Sequence, residues 1–374
     1  MPATVYRLYF DDAPASRAQL DLVETITVEQ ELDIAWEARL EVPICTDDSG
    51  AWSDENASLL TRVRRARVEV KVGDDPWVAL IDGPVVTIES AMSATPGQST
   101  ATIVVNDDSF YLAREEKQDR FDGMLDSDVA DQLFRGATQI ADTEIDTTNA
   151  PPSGTANAVA IQRGTAMAMI RRLAERNGMY AYVRPGDEPG ASVGVFEALP
   201  TTADDLEPLV LLGADRNLAT FSSQNDGAAP ATVTIFTLDP LDGTTSSANA
   251  SPSDGALLGA NPPTAADGQV GSVILPPSDG SVDAQTQANA AAVRNGYAFN
   301  ADGSVVSDCY PSVLLPYQVV TVRGVDGRQS GDWLIVHVTH SLDRSVYTQN
   351  FKLGRNATSD GASSSAIAVP AGIV

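Results

Sequence analysis

Apolar and polar residues alternate in short stretches early and late in the chain, and a different period appears in the middle. The alternation in Val5–Phe10, Trp36–Pro43 and Asp332–His340 predicts β-strands, because successive side chains of a strand point to opposite faces. From Thr165 the apolar positions follow the helical period instead, and Gly178 stands where such a helix would end. The order β-rich, mixed, β-rich predicts a mainly β protein with an α+β insertion.

Some stretches lack the strand period. Residues 239–280 are rich in Asp, Gly, Ser, Ala and Pro, which is typical of a long surface loop. The alanine-rich stretch Ser281–Asn295 predicts a helix that Gly296 ends, and Ser127 is predicted to cap a short helix before it. The Ser/Ala/Gly-rich residues 356–374 are expected to form a flexible tail.

The composition is strongly acidic, with 51 Asp and Glu against 24 Lys and Arg and a formal net charge of −27. This argues against stable nucleic-acid binding, which requires clustered basic side chains. A halophilic source, a GC-rich genome and an acidic channel wall that does not retain passing molecules all fit the charge. No apolar run is long enough to insert into a membrane, and the first residues do not read as a secretion signal.

One short motif points to catalysis. Gly190, Ser192 and Gly194 match the G-x-S-x-G string of serine hydrolases, with His337 or His340 as a possible base. That motif needs a strand before the serine and a helix after it, whereas here a Pro/Gly turn precedes the serine and a strand follows it. A hairpin connection is therefore the favoured interpretation, and Ser192 chemistry is kept only as an alternative.

The chain offers little for a metal or a cofactor. His337 and His340 are three apart on a predicted strand, so they point to opposite faces and cannot share one ion. Asp pairs such as Asp47 and Asp48 lack the pattern of a calcium loop, and no Gly-Lys string forms a phosphate loop. We predict no catalytic residue, no cofactor and no metal ligand.

One basic run interrupts the acidic sequence, at Arg62, Arg64, Arg65 and Arg67. Arginine suits bidentate pairs at interfaces, so these residues are candidates for contact with an acidic partner subunit. The alternative is a set of strand arginines paired with carboxylates of the same chain. The sequence leaves both interpretations open.

Several stretches resemble, in order, the phage late control protein D family. The corner Leu173-Ala174-Glu175-Arg176-Asn177-Gly178 is similar to the "LAE-x-NG" corner of that family. Trp77–Glu89 is similar to an early hairpin, and Gly331–His340 followed by Tyr347–Phe351 to a closing hairpin. These proteins are baseplate hubs of contractile tails and are related to the hub part of type VI secretion spike proteins.

The resemblance implies two similar β-barrels in each subunit, so that a trimer presents a pseudo-sixfold ring to a hexameric tail tube. The middle domain would lie between the barrels. The expected boundaries are 1–115 for the first, tube-facing barrel, 116–205 for the mixed α/β middle domain, 206–240 and 305–355 for the second barrel, 241–304 for a loop insertion plus a helix packed on the middle domain, and 356–374 for the tail.

The resemblance also implies partners and a location. A homotrimer would contact the tail tube protein, a spike protein and other baseplate proteins, in a virion tail or an injection particle assembled in the host cytoplasm. Trp333, His340 and Tyr347 of the closing hairpin join the arginine run as interface candidates. The alternatives are an adhesin-like surface protein of a halophile and the hydrolase that uses Ser192.

Overall fold

The computed structural model describes residues 4–46, 50–95, 97–150, 159–229, 231–238, 243–264, 271–275, 283–306, 309–344 and 346–360. The strands are β1 Thr4–Phe10, β2 Ala13–Pro14, β3 Thr25–Glu31, β4 Glu37–Pro43, β5 Arg65–Val72, β6 Val78–Ala91, β7 Thr100–Asn106, β8 Glu116–Asp122, β9 Ile140–Ile145, β10 Val159–Thr165, β11 Met179–Pro185, β12 Ser192–Ala198, β13 Leu209–Val210, β14 Leu218–Asn225, β15 Ala231–Leu238, β16 Thr245–Ala250, β17 Gly271–Leu275, β18 Phe299–Val306, β19 Val319–Arg323, β20 Gly331–Leu342 and β21 Tyr347–Arg355. The helices are α1 Arg17–Leu22, α2 Asp54–Arg62, α3 Ser109–Ala113, α4 Asp126–Phe134, α5 Ala166–Asn177 and α6 Ala284–Asn295, with a 3-10 turn at Pro252–Asp254.

The prediction of a mainly β chain is confirmed, and most strand pairs are antiparallel. Strand β4 illustrates why the alternation was informative. Ala38, Leu40 and Val42 are fully buried, while the charged residues between them face outward. The apolar face joins a core that runs under the early strands. The division into two barrels stays a prediction.

Two groups of four strands have the same internal order. In the first β unit the neighbours are β3, β4, β7 and β6, and in the second β unit they are β14, β18, β21 and β20. In both units the chain forms the first and second strands, and the last strand then inserts beside the second. The units join edge to edge, because β20 pairs antiparallel with β3, with His340 opposite Val28.

The third strand of each unit is long and changes partners along its length. The first half of β6 pairs with β5 and its second half with β7, and Val86 is an extra, bulged residue between them. The first half of β20 pairs with β19 and its second half with β21, with Val336 as the bulged residue. A bulge bends a strand and increases its twist, so each long strand turns close to the point where it changes partners.

A separate three-stranded sheet lies where the sequence indicated barrel and loop. Strand β15, within the stretch 206–240 assigned to the second barrel, pairs instead with β16 and β17. Helix α6 covers this sheet, with Val233 and Ile235 against Ala288 and Ala292. The sequence did not predict strand β16, because its inward residues are alanines. Its buried and exposed positions therefore differ little in hydrophobicity.

The central helix is confirmed and the one before it needs a correction. Helix α5 begins where the Thr165 side chain accepts a hydrogen bond from the Ala168 amide, and Gly178 follows it with φ 72°. Helix α4, however, begins at Asp126 after Leu125, with no side-chain cap. The hydroxyl of the predicted cap, Ser127, instead accepts a hydrogen bond from the amide of Thr148.

The prediction that a flexible tail begins at residue 356 is wrong. Residues 356–360 are ordered against the body of the chain, since Ala357 is fully buried and Thr358 pairs with Asn261. Residues 361–374 lie outside the described residues, as do Asp47 and Asp48. Within the part of the chain that is described, the helices are too short or too polar to cross a membrane.

Candidate functional site

An aromatic cluster joins three separate parts of the chain. Tyr180 and Tyr182 come from β11, directly after the corner that ends α5. The ring of Tyr182 stacks on Tyr317, with centroids 3.7 Å apart and planes within 6°, and Trp36 lies 6.2 Å from Tyr182. Tyr317 has φ 66°, which is rare for a bulky residue and requires strong packing. The cluster therefore packs β11 against residues that lie just before β4 and β19.

A cation–π contact extends this aromatic cluster toward α6. The guanidinium carbon of Arg294 lies 4.0 Å from the Tyr180 ring centroid. The same side chain forms an ion pair with Asp33 at 3.1 Å and donates a hydrogen bond to the Met179 carbonyl. A planar guanidinium can stack on a ring and still donate hydrogen bonds in its own plane, so one residue connects α6, β11 and the loop after β3.

A second set of contacts, a buried ionic network, joins β5 to β6 and to Asp108. Both terminal nitrogens of Arg65 donate to the carboxylate of Asp108 at 2.7 Å, and Arg65 also pairs with Asp82 at 2.8 Å. Arg67 pairs with Asp82 at 3.1 Å and with Glu69 at 2.6 Å. The Arg65 side chain is 11% exposed and that of Arg67 4%. The alternative of strand arginines paired within the chain is therefore the correct interpretation for these two.

Arg62 and Arg64 differ from the other two members of the basic run. Both are exposed on the surface, at the end of α2 and before β5. Only these two of the four arginines therefore remain candidates for contact with an acidic partner.

The ionic network also holds the turn between β11 and β12. The hydroxyl of Ser192 donates to Asp108 at 2.8 Å, the amide of Gly190 donates to Asp82 at 3.0 Å, and Ser192 is only 1% exposed. The geometry does not support the alternative of a hydrolase that uses Ser192, because its hydroxyl is buried beside a carboxylate and His340 lies in a different network. The G-x-S-x-G string belongs to a hairpin connection, as expected.

Three further interface candidates are core residues of the chain. Trp333 and His340 are fully buried and Tyr347 is 4% exposed. The ring nitrogens of His340 lie 2.8 Å from the Tyr347 hydroxyl and 3.1 Å from the side-chain oxygen of Gln30, whose nitrogen donates to the Leu80 carbonyl. Buried side chains cannot form a surface for another chain, so their assignment as interface residues is corrected. The contacts of His340 instead fasten β20 to β3 and, through Gln30, to β6.

The buried position of His340 predicts a pH dependence of stability. Burial, with a smaller contribution from the charge of His337, lowers the pKa of His340 to about 3. In the unfolded chain its pKa is about 6.5, so below that value the unfolded state binds the extra proton. The stabilisation is complete above pH 6.5 and declines as the pH falls toward 3. At pH 5 the loss from this residue is about 2 kcal/mol.

The replacement His340→Gln isolates this effect, since glutamine keeps polar contacts and does not titrate. Urea denaturation at pH 8 and pH 5 is expected to show wild type losing about 2 kcal/mol more than the variant over this interval. Other titrating groups, including the buried Asp107, contribute equally to both proteins and cancel in the comparison. Parallel losses in the two proteins would show that His340 can be protonated in the folded state.

The outer edges of the two β units are open within the described residues. Strand β14 pairs with β18 on one side, and residues 85–91 of β6 pair with β7 on one side. Most of β14 is exposed, and residues 89–91 of β6 are exposed as well. An open edge presents unpaired N–H and C=O groups to another strand. Sequence reasoning missed β14, because its polar residues carry a weak strand signal.

The described side chains do not form a metal-binding cluster. Within the described ranges, no three His, Cys, Asp or Glu side chains lie together in a way that could hold a metal ion. The two cysteines, Cys45 and Cys309, are free and exposed.

No family model and no curated protein matches this sequence. Solved structures do match. The 43 kDa tail protein of prophage MuSo2 from Shewanella oneidensis superimposes with a TM-score of 0.65 at 15% identity, covering 95% of this chain and 100% of that one. A tail protein from Neisseria meningitidis gives 0.61 at 13% identity, covering 95% and 97%.

A third match comes from a secretion machine. An E. coli component of the type VI secretion system, which is itself structurally similar to the T4 bacteriophage tail proteins gp27 and gp5, gives a TM-score of 0.52 at 12% identity, covering 89% of this chain and 73% of that one. The resemblance read from the motifs is thereby confirmed at the level of the fold. The chain has the fold of phage tail proteins, shared with a hub-related component of the type VI secretion system.

Proposed function

We propose that the protein is the structural baseplate hub of a contractile tail or injection particle. Three copies form a ring that adapts the hexameric tail tube to a trimeric spike and lines the central channel. The likeness to tail proteins from two bacteria supports a tail-associated structural role. The tail tube protein, the spike and other baseplate proteins are the proposed partners, and Arg62 and Arg64 are candidate contacts for one of them.

The observation that carries this proposal is the repeated strand order. Each chain contains two four-strand units of the same order, joined by the pairing of β20 with β3. Three chains supply six such units, which is the number that a hexameric tube requires. A head-to-tail contact produces a closed ring when the rotation from one copy to the next completes a full circle. The two open edges of one chain provide such a contact.

The pairing of β20 with β3 inside one chain predicts which residues lie opposite each other where strands of two chains pair. Aligning the bulges at Val86 and Val336 places Ser90 of β6 at the position that His340 occupies in β20. Following the cross-strand partners in both units places Ser223 of β14 at the position of Val28 in β3. Because His340 lies opposite Val28, we infer that Ser90 of one copy lies opposite Ser223 of the next.

Cysteine cross-linking tests this register. In a background of Cys45→Ser and Cys309→Ser, the pair Ser90→Cys and Ser223→Cys is treated with a short thiol-reactive cross-linker. Directly opposite residues of paired strands have Cβ atoms about 5 Å apart, so the reaction is expected to be efficient. Denaturing gels are expected to show covalent dimers and trimers, and sedimentation of the untreated protein a particle of three 39.3 kDa chains.

The matched control combines Ser90→Cys with Ser247→Cys, an exposed position on β16. It is expected to give no ladder. A protein that remains monomeric at high concentration and in high salt, or a ladder no stronger than that of the control, would contradict the proposed ring.

A further inference from the structure

An open groove of about 830 Å³ lies between β10, α5, α6 and β17. Its volume falls within the range of ligand pockets, about 300–1,000 Å³. It is distinct from the open edges of the two β units, since none of its lining residues belongs to β6 or β14. We name it the arginine groove, and its principal lining residues are Ile161, Arg163, Arg172, Val273, Leu275 and Arg294.

The charge of this groove is opposite to that of the chain. Its lining contains four arginines, Arg163, Arg172, Arg176 and Arg294, against a single carboxylate at Glu175. The whole chain, in contrast, carries a net charge of −27. A concave surface lined by one sign of charge attracts ligands of the other sign, so the arginine groove favours an anionic partner.

Two of these arginines are available to such a partner. In the part of the chain that the structure describes, neither Arg163 nor Arg172 has a carboxylate within ion-pair distance. Arg163 is exposed. One terminal nitrogen of Arg172 donates to the Ile161 carbonyl and to the Met169 sulfur, each at 2.7 Å, which leaves the N–H donors of its other guanidinium nitrogens for a ligand.

Aliphatic side chains and the open edges of two strands also border the groove. Ile161 is 39% exposed and Val273 38%, so aliphatic side chains border the arginines. Among described residues, β10 pairs with β8 alone and β17 with β15 alone, which leaves one edge of each strand open. Consecutive residues Val159, Ala160 and Ile161 all line the groove, so the edge of β10, and not only one face, borders it.

We propose that the arginine groove binds an extended segment of a second protein that carries both acidic and aliphatic residues. Arginines and aliphatic side chains line the same groove, and Ile161 and Arg163, two positions apart on β10, lie on the same face of that strand, so the segment needs both kinds of side chain. Its backbone runs along the edge of β10, as in recognition by strand addition. Its carboxylates pair with Arg163 and Arg172, and its aliphatic side chains cover Ile161 and Val273.

Fluorescence anisotropy with two labelled octapeptides tests this inference on the full chain. One peptide alternates Asp with Val and the other alternates Lys with Val. The Asp peptide is expected to bind at least about tenfold more tightly, with an affinity that falls as salt is added. Arg163→Glu and, separately, Ile161→Ser are each expected to weaken it at least about tenfold. Arg17→Glu, at an exposed arginine of α1, is the control and is expected to leave binding unchanged.

Each other outcome overturns the inference. Equal binding of both peptides, or no binding of either, would show that the groove does not recognise an acidic strand. Binding that Arg163→Glu leaves intact would place the contact elsewhere on the chain. If Arg163→Glu instead abolishes assembly of the chain with itself while the Asp peptide does not bind, the occupant is a second copy of this chain.

Discussion

Replacing Asp108 with alanine is expected to lower the free energy of unfolding by about 3–5 kcal/mol, because it leaves a buried arginine without its partner. Asp108 accepts two hydrogen bonds from Arg65, and a third comes from the hydroxyl of Ser192. Asp82 remains beside Arg65 but is shared with Arg67. The variant therefore loses the ion pair with Asp108 and the hydrogen bond from Ser192 at the start of β12, while the bond from Gly190 to Asp82 remains.

Urea denaturation of wild type and Asp108→Ala measures this loss. The matched control is Asp21→Ala, which removes the partner of Arg17 from an exposed ion pair whose side chains are 88% and 61% exposed. Exposed pairs contribute little, so the control is expected to change the free energy of unfolding by less than about 0.5 kcal/mol. Similar small losses in both variants would show that the buried network does not stabilise the fold.

Replacing Gly83 with alanine is expected to destabilise the chain by about 3 kcal/mol. A Cβ atom at this position would lie 1.9 Å from the backbone oxygen of Asn106, at the end of β7. The obstructing atom is backbone, so relief requires that β6 and β7 move apart. Gly83 precedes Pro84, and both stand where β6 leaves its pairing with β5 for its pairing with β7. The absent side chain thus permits the close approach that directs the second half of β6.

This prediction has a structural and a functional measurement. Thermal and urea denaturation report the stability, with Ser90→Ala, at an exposed position of the same strand, as a control expected to stay within about 0.5 kcal/mol of wild type. In the cross-linking background, Gly83→Ala is also expected to reduce the covalent trimer, because the strand edge that carries residue 90 shifts. Wild-type stability together with an unchanged ladder would contradict the close approach at Gly83.

The motifs of the resemblance mark positions with a structural reason. The Asp-Gly-Pro string at residues 82–84 combines a buried carboxylate of the ionic network, the close approach at Gly83 and a proline at the change of partner strands. The corner after α5 delivers Tyr180 and Tyr182 to the aromatic cluster. Such positions depend on backbone geometry and on buried contacts, which tolerate few residue types.

The sequence by itself determined the features that depend on neighbouring residues. The start and end of α5 follow from a threonine side chain and a glycine with positive φ, each acting within one helical turn. The burial alternation of β4 follows from the period of a strand. Helix α6 ends before Gly296, as the composition predicted. These signals lie within a few residues of their effect.

Only the tertiary structure decided which residues face the core and which strand edges stay open. The alternation of apolar and polar residues in β20 identifies two faces. Which face is buried depends on β3, because His340 contacts Gln30, about 310 positions earlier in the sequence. The same limit explains why Trp333, His340, Tyr347, Arg65 and Arg67 were assigned to an interface and proved to be internal. Strand pairing and burial are contacts between distant segments, and one local window of sequence does not contain both partners.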